Sequence, residues 1–158
     1  MHTMENGRTE GVPGKIRIVK MEKSDVPILL EYGKRHWKDE GWLTKEYLTS
    51  SFGQAGLSYV AKYEKKTIGG VILVYEDIVR NWIRYVIVDK EFRNLGVGGR
   101  LLATIFSHMK AGESVFVDTG VTDKKAIMFY EKMGFKNRGE VKSLYENKSA
   151  YIFLLPKI

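Results

Sequence analysis

With 158 residues, 44% hydrophobic and 28% charged, the chain fits one soluble globular domain with a sizeable core. Lysine plus arginine outnumber aspartate plus glutamate by 26 to 19, a formal charge of +7 that suits an anionic ligand, an acidic surface or simply solubility. There is no cysteine, and His2, His36 and His108 share no ligand spacing, which excludes disulfides, thiolate zinc sites and a cysteine nucleophile and gives no expectation of a metal.

Residues 1–14 hold Gly7, Gly11, Pro13 and Gly14 among polar residues and read as a flexible tail, with the folded domain over 15–158. That start lacks an apolar signal segment, and no apolar run approaches the roughly 18–20 residues of a membrane span. A cytoplasmic protein with no membrane contact is therefore expected. "KIRIVKM" (15–21) alternates like a strand, and "SDVPILLEYGKRHW" (24–37) opens with capping residues and Pro27 before turning helical. "DEG" (39–41) breaks that helix, and a second short one follows over 43–52 with Thr44 as N-cap. Residues 57–77 form a hairpin turning at Glu64, Lys65 and Lys66. "RNWIRYVIVD" (80–89) is apolar at nearly consecutive positions, which marks a central strand.

A glycine turn comes next, then a helix from about 97 to 110 and a strand over 114–120. A helix over 122–133 is capped by Thr122 or Asp123 and ended by Gly134 in the left-handed region. Two strands close the chain near 135–145 and 149–155. Basic residues are spread along the sequence with no Arg/Lys block, so a nucleic-acid arm is not expected.

The turn between the strand ending at Asp89 and the helix carries Gly96, Gly98 and Gly99, flanked by Arg93 and Arg100. Bare backbone at a helix start leaves N–H groups free to converge on an anion, and the arginines add charged donors. A tight turn without a ligand would need Gly96 alone. The dinucleotide pattern fails because Leu101 stands where its third glycine belongs, and only 40 residues follow Asp118. No Gly-Lys-Ser/Thr, serine elbow or kinase signature is present.

Arg93-Asn94-Leu95-Gly96-Val97-Gly98 after "YVIVD", with "DKKAIMFYEKMGF" (123–135) about 30 residues on, closely resembles the GNAT N-acetyltransferase superfamily. The resemblance spans roughly 68–155. It implies a single-domain α/β fold: a mixed, mostly antiparallel sheet of six to seven strands, helices on both faces, and splayed central strands. It also implies acetyl-CoA as cosubstrate. The pantetheine arm would pair with the backbone of Val86, Ile87 and Val88. The pyrophosphate would rest on Arg93, Asn94, Leu95, Gly96, Val97, Gly98, Gly99 and Arg100, with Phe129 nearby. Asp123 takes the place of a cofactor-touching asparagine and lacks its amide donor.

The implied reaction moves an acetyl group to a primary amine by direct transfer in a ternary complex. Tyr130, at the family's motif tyrosine, would protonate the departing thiolate. By periodicity alone Tyr130 is one of an apolar stripe with Ala126, Phe129 and Met133. The acid that many relatives carry on the strand of Trp82 and Arg84 is missing, so Glu76, beside Asp77, is the nearest base, with a water chain as the alternative. The acceptor could be a polyamine, a lysine side chain, a protein N-terminus or an amino sugar, and a homodimer is compatible with the fold. Substrate choice falls on 31–47, where Trp37, Trp42 and Tyr47 could wall a pocket and Glu31, Asp39 and Glu40 attract a cation. Rival readings are a non-catalytic acyl-CoA-binding module and a basic nucleic-acid-binding protein.

Overall fold

The structure is a computed structural model describing residues 11–38, 40–75, 81–145 and 148–156. Its elements are β1 (Ile16–Lys20), α1 (Val26–His36), α2 (Lys45–Gly53), β2 (Ala55–Tyr63), β3 (Lys66–Val74), β4 (Trp82–Val88), α3 (Val97–Ser107), β5 (Ser114–Gly120), α4 (Lys124–Lys132), β6 (Lys136–Tyr145) and β7 (Lys148–Pro156). Each element anticipated from periodicity is present in the expected order. The local signals operate as read. Thr44 accepts from the Tyr47 N–H at 3.0 Å to cap α2, and Asp123, not Thr122, accepts from the Ala126 N–H at 3.2 Å to cap α4. Gly134 follows α4 at φ 99°, where a Cβ would be strained.

Seven strands form one sheet in the order β1-β2-β3-β4-β5-β7-β6. Every pairing is antiparallel except β4 with β5. β3 carries the run "TIGGVILV", buried from Thr67 to Val74, because helices cover both faces of it. α3 lies on one face over Ile68, Val71, Leu73, Phe92 and Phe153. α1 and α2 cover the other, around Leu29, Leu48, Val60, Ile72 and Tyr85.

The ladder between β3 and β4 slips by one residue, pairing Leu73 with Ile83 but Ile72 with Tyr85. Arg84 is the extra residue. Such a bulge re-aims side chains, and here Ile83 joins the α3 core while Tyr85 and Ile87 join the α1 core.

Of the stretch set apart as a tail, residues 1–10 lie outside the described residues. Val12 is buried in the α3 core, and Pro13–Lys15 form a single 3₁₀ turn. The Arg100 guanidinium fastens this turn, donating to the Pro13 carbonyl at 3.1 Å and the Ile16 carbonyl at 2.9 Å. Arg100→Ala is expected to lower unfolding stability by about 1–2 kcal/mol, since two charge-assisted bonds go and one is partly exposed. Chemical denaturation measures this, and an unchanged midpoint would show that the fastening is idle.

Candidate active site

Three features converge at the middle of the sheet. The first is the turn between β4 and α3. Asn94 and Gly96 both adopt left-handed backbone, at φ 65° and 78°. This reverses the chain so that α3 starts pointing back at the end of β4. The earliest α3 bond runs from the Arg100 N–H to the Gly96 carbonyl, 3.0 Å, and no side chain caps the helix. The N–H groups of Val97, Gly98 and Gly99 therefore have no helical acceptor and face out at the positive end of the dipole. A Cβ on Gly98 would sit 3.2 Å from the Phe129 ring, closer than side chains tolerate without movement. Glycine thus lets α4 lie this near the turn without displacing the Phe129 ring. Arg93 donates from Nε to the Val88 carbonyl at 3.1 Å, which ties the turn to the strand end.

The second feature is a split in the sheet. β4 and β5 each have seven residues but pair only at Trp82 with Phe116 and Ile83 with Val117. Beyond that point the strands part. The third is a cavity of about 400 Å³ in the opening. Its floor includes Ile83 to Val86 from β4, Val117 to Thr122 from β5 and beyond, and Tyr130 from α4. Its outer wall is aromatic: Trp37 meets Trp42 at 5.2 Å between ring centroids, and Trp42 meets Tyr47 at 5.3 Å.

Alternation along β5 sends neighbouring side chains to opposite faces. Asp118 goes one way, toward β4, and accepts from the Trp82 indole N–H at 2.7 Å and from the Tyr145 hydroxyl. Burial raises its carboxyl above the usual range, opposed by the Trp82 hydrogen bond and the Arg84 charge. Thr119 goes the other way, 5% exposed, and its Oγ1 has no partner among the described residues. Tyr130 is buried among Phe129, Phe135 and Phe153, with its hydroxyl unpartnered among the described residues. Burial, and then the negative charges of Asp118 and Asp123, push its phenol well above the ordinary range, so it holds its proton at neutral pH.

The sequence matches the acetyltransferase (GNAT) domain over residues 54–137, more than half of the chain. The chain belongs to the GNAT acetyltransferase family. Human N-acetyltransferase 8 is 30% identical over 105 residues, which cover 62% of this chain and 45% of that protein; the chain thus spans under half the length of this curated relative. Two solved structures share the GNAT fold. Ard1 from Thermoplasma volcanium is 18% identical with a TM-score of 0.80, covering 91% of this chain and 99% of that one. A GNAT family acetyltransferase from Elizabethkingia anophelis, solved with acetyl-CoA bound, is 19% identical with a TM-score of 0.73, covering 90% and 98%.

Within this GNAT domain the residues singled out from sequence come together unevenly. Val86, Ile87 and Val88 line the open edge of β4, and Arg93, Asn94, Leu95, Gly96, Val97, Gly98 and Gly99 form the turn at its end. Phe129 backs Gly98 and Tyr130 reaches the cavity. Arg100, expected from sequence at the pyrophosphate, donates from its guanidinium to the Pro13 and Ile16 carbonyls and from its N–H to the Gly96 carbonyl. Asp123 keeps its capping role but is also held by His36, whose Nε2 lies 3.6 Å away. That neighbour first of all, together with the Ala126 N–H, keeps the Asp123 carboxyl low.

Glu76, Asp77 and Asp39 lie outside the described residues. Glu31 pairs with Arg35 on the surface, while Glu40 lines the cavity and accepts from the Trp42 indole. Across the split from β4, Asp118 lines the cavity, a carboxylate that sequence reasoning passed over as a site residue. The available signal was a lone carboxylate inside the apolar strand "SVFVDTG". No helix of the described residues is long and apolar enough to cross a membrane.

Proposed function

We propose that the protein is an N-acetyltransferase that moves the acetyl group of acetyl-CoA to a primary amine by direct transfer in a ternary complex. The observation carrying this is the split between β4 and β5, whose cavity is lined by both the Tyr130 phenol and the half-buried Asp118 carboxylate. The pantetheine arm is read as lying along Val86 to Val88 in place of the missing strand partner. The pyrophosphate is read as resting on the N–H groups of Leu95 to Gly99 beside Arg93.

An alkylammonium near pKa 10.4 is neutral about once in 2,500 molecules at pH 7, a cost on the order of 4–5 kcal/mol. Asp118 replaces Glu76 as the proposed base, since it lines the same cavity as Tyr130. As the amine nitrogen bonds to the thioester carbon it becomes acidic, and its proton passes to Asp118. The carbon–sulfur bond breaks, and the sulfur takes the Tyr130 proton. No covalent acetyl-enzyme is required in a chain without cysteine.

The test is incubation with acetyl-CoA and a panel of amines, following free CoA thiol. Release that depends on the amine supports transfer, whereas tight acetyl-CoA binding with no release from any amine would favour a binding module. A more local check is Gly98→Ala. Its methyl group intrudes on the pyrophosphate path and presses Phe129, so acetyl-CoA affinity should fall about tenfold, the loss of one charged hydrogen bond. Calorimetry reads this, and unaltered affinity in the folded variant would move the anion elsewhere.

A further inference from the structure

Asp118 is held at both carboxylate oxygens, and the two holds differ in kind. Oδ1 accepts from the Trp82 indole N–H at 2.7 Å, and Oδ2 accepts from the Tyr145 hydroxyl. A hydroxyl can rotate and turn from donor to acceptor, whereas an indole N–H only donates. A proton on Oδ1 would weaken the acceptor that the indole needs, while a proton on Oδ2 can be met by the Tyr145 oxygen. The two partners thus sort the carboxylate into an anchored oxygen and one free to be protonated.

Trp82 is built to anchor. Its backbone pairs with Val74 of β3 and Phe116 of β5, at the closed end of the split. Its ring lies over that of Phe116, with centroids 5.8 Å apart and planes 8° from parallel. Phe116 and Asp118 are two apart on β5 and share a face, so an indole seated opposite Phe116 reaches along the strand to the carboxylate. On the same ring the Arg84 guanidinium carbon stands 5.0 Å from the centroid. Trp82 itself does not line the cavity, so it acts on the reaction through Asp118.

We propose that Trp82 is the positioning residue of the base: its indole N–H fixes Oδ1 and leaves Oδ2 to take the amine proton. This rests on the reading of Asp118 as base and deepens it. The N–H bond of the attacking amine breaks, its electron pair stays on nitrogen, and the Oδ2–H bond forms as the Tyr145 hydroxyl turns to accept. The same indole donor favours the ionised carboxylate against the burial that disfavours it. Besides Trp82, Asp118 is faced by Arg84 of β4, Tyr47 of α2, Tyr130 of α4 and Tyr145 of β6. Glu40, Asp123 and Lys148 share its cavity, Glu40 and Lys148 as an ion pair.

Removing the N–H alone tests this in the full chain. Trp82→3-benzothienylalanine keeps the bicyclic ring against Phe116 and Arg84 and retains every group just named, so a changed titration reports the indole donor. The Asp118 midpoint, read by carboxyl-carbon NMR, should rise by about one pH unit, the scale of one hydrogen bond to a charged group. For an amine that releases thiol, the variant's kcat/KM divided by that of the unaltered protein should fall to about one-tenth toward acid pH. The ionisation of the amine is common to both proteins and cancels in that ratio. Acetyl-CoA affinity should stay within about twofold, and Trp82→Phe should move both pH readouts the same way. An unmoved midpoint would end the proposal and leave acetyl transfer intact. A raised midpoint with a ratio flat across pH would separate the indole from catalysis and end it too. Full activity in Asp118→Asn, or no thiol release from any amine, would instead sink the underlying reading and this inference with it.

Discussion

Replacing Tyr130 with phenylalanine is expected to lower turnover about 100-fold while acetyl-CoA affinity stays within about twofold. The ring contacts to Phe129, Phe135 and Phe153, at centroid distances of 5.1, 5.4 and 6.3 Å, are kept. The hydroxyl has no partner among the described residues, so its removal orphans nothing and the melting temperature should hold. What disappears is a proton that burial retains on the phenol at neutral pH. Tyr130→Ala would confound this, since emptying a buried aromatic site costs about 3–5 kcal/mol. Steady-state turnover, calorimetry with acetyl-CoA and a thermal melt together separate acid from packing residue. Full activity in the phenylalanine variant would remove Tyr130 from the chemistry.

Asp118→Asn should reduce kcat/KM for the amine by about 100-fold or more at neutral pH, the range of a lost general base. The amide oxygen can still accept from the Trp82 indole, so the local geometry survives. The pH dependence adds a signature. The base must be ionised, and burial raises the Asp118 pKa above 3.8, so activity should fall on the acid side earlier than an exposed aspartate would allow. The asparagine variant should lose that acid limb.

Stability should respond with the opposite sign. In the folded state the proton is held more tightly than in the unfolded chain. Stability from this group is therefore full below 3.8 and declines as pH rises through the elevated value. At neutral pH the asparagine variant should melt no lower than the unaltered protein. An activity loss accompanied by a lower melting temperature would mark Asp118 as structural.

Reading the chain from end to end recovers the elements because each has a local cause. The alternation of 57–63, the continuous apolar run of β3, the Thr44 and Asp123 caps and the Gly134 stop all act within a few residues. The glycine turn is legible for the same reason, since Gly96 needs φ 78° and Gly98 must clear Phe129. Arg100 was placed at the anion because it follows the glycines in sequence. Nothing local shows that its side chain turns to Pro13 and Ile16, more than 80 residues away.

By itself, then, the sequence determined the order of strands and helices, the phosphate-friendly turn and the motif tyrosine, all products of short-range propensity and pattern. Only the tertiary structure decided where the sheet splits, because pairing that stops after Trp82–Phe116 and Ile83–Val117 depends on two strands over 30 residues apart. It likewise brought Asp118 to the cavity that Tyr130 lines. Asp118 becomes a candidate base through burial, the Trp82 indole and the Tyr145 hydroxyl, and those partners come from distant strands that meet only when the chain folds.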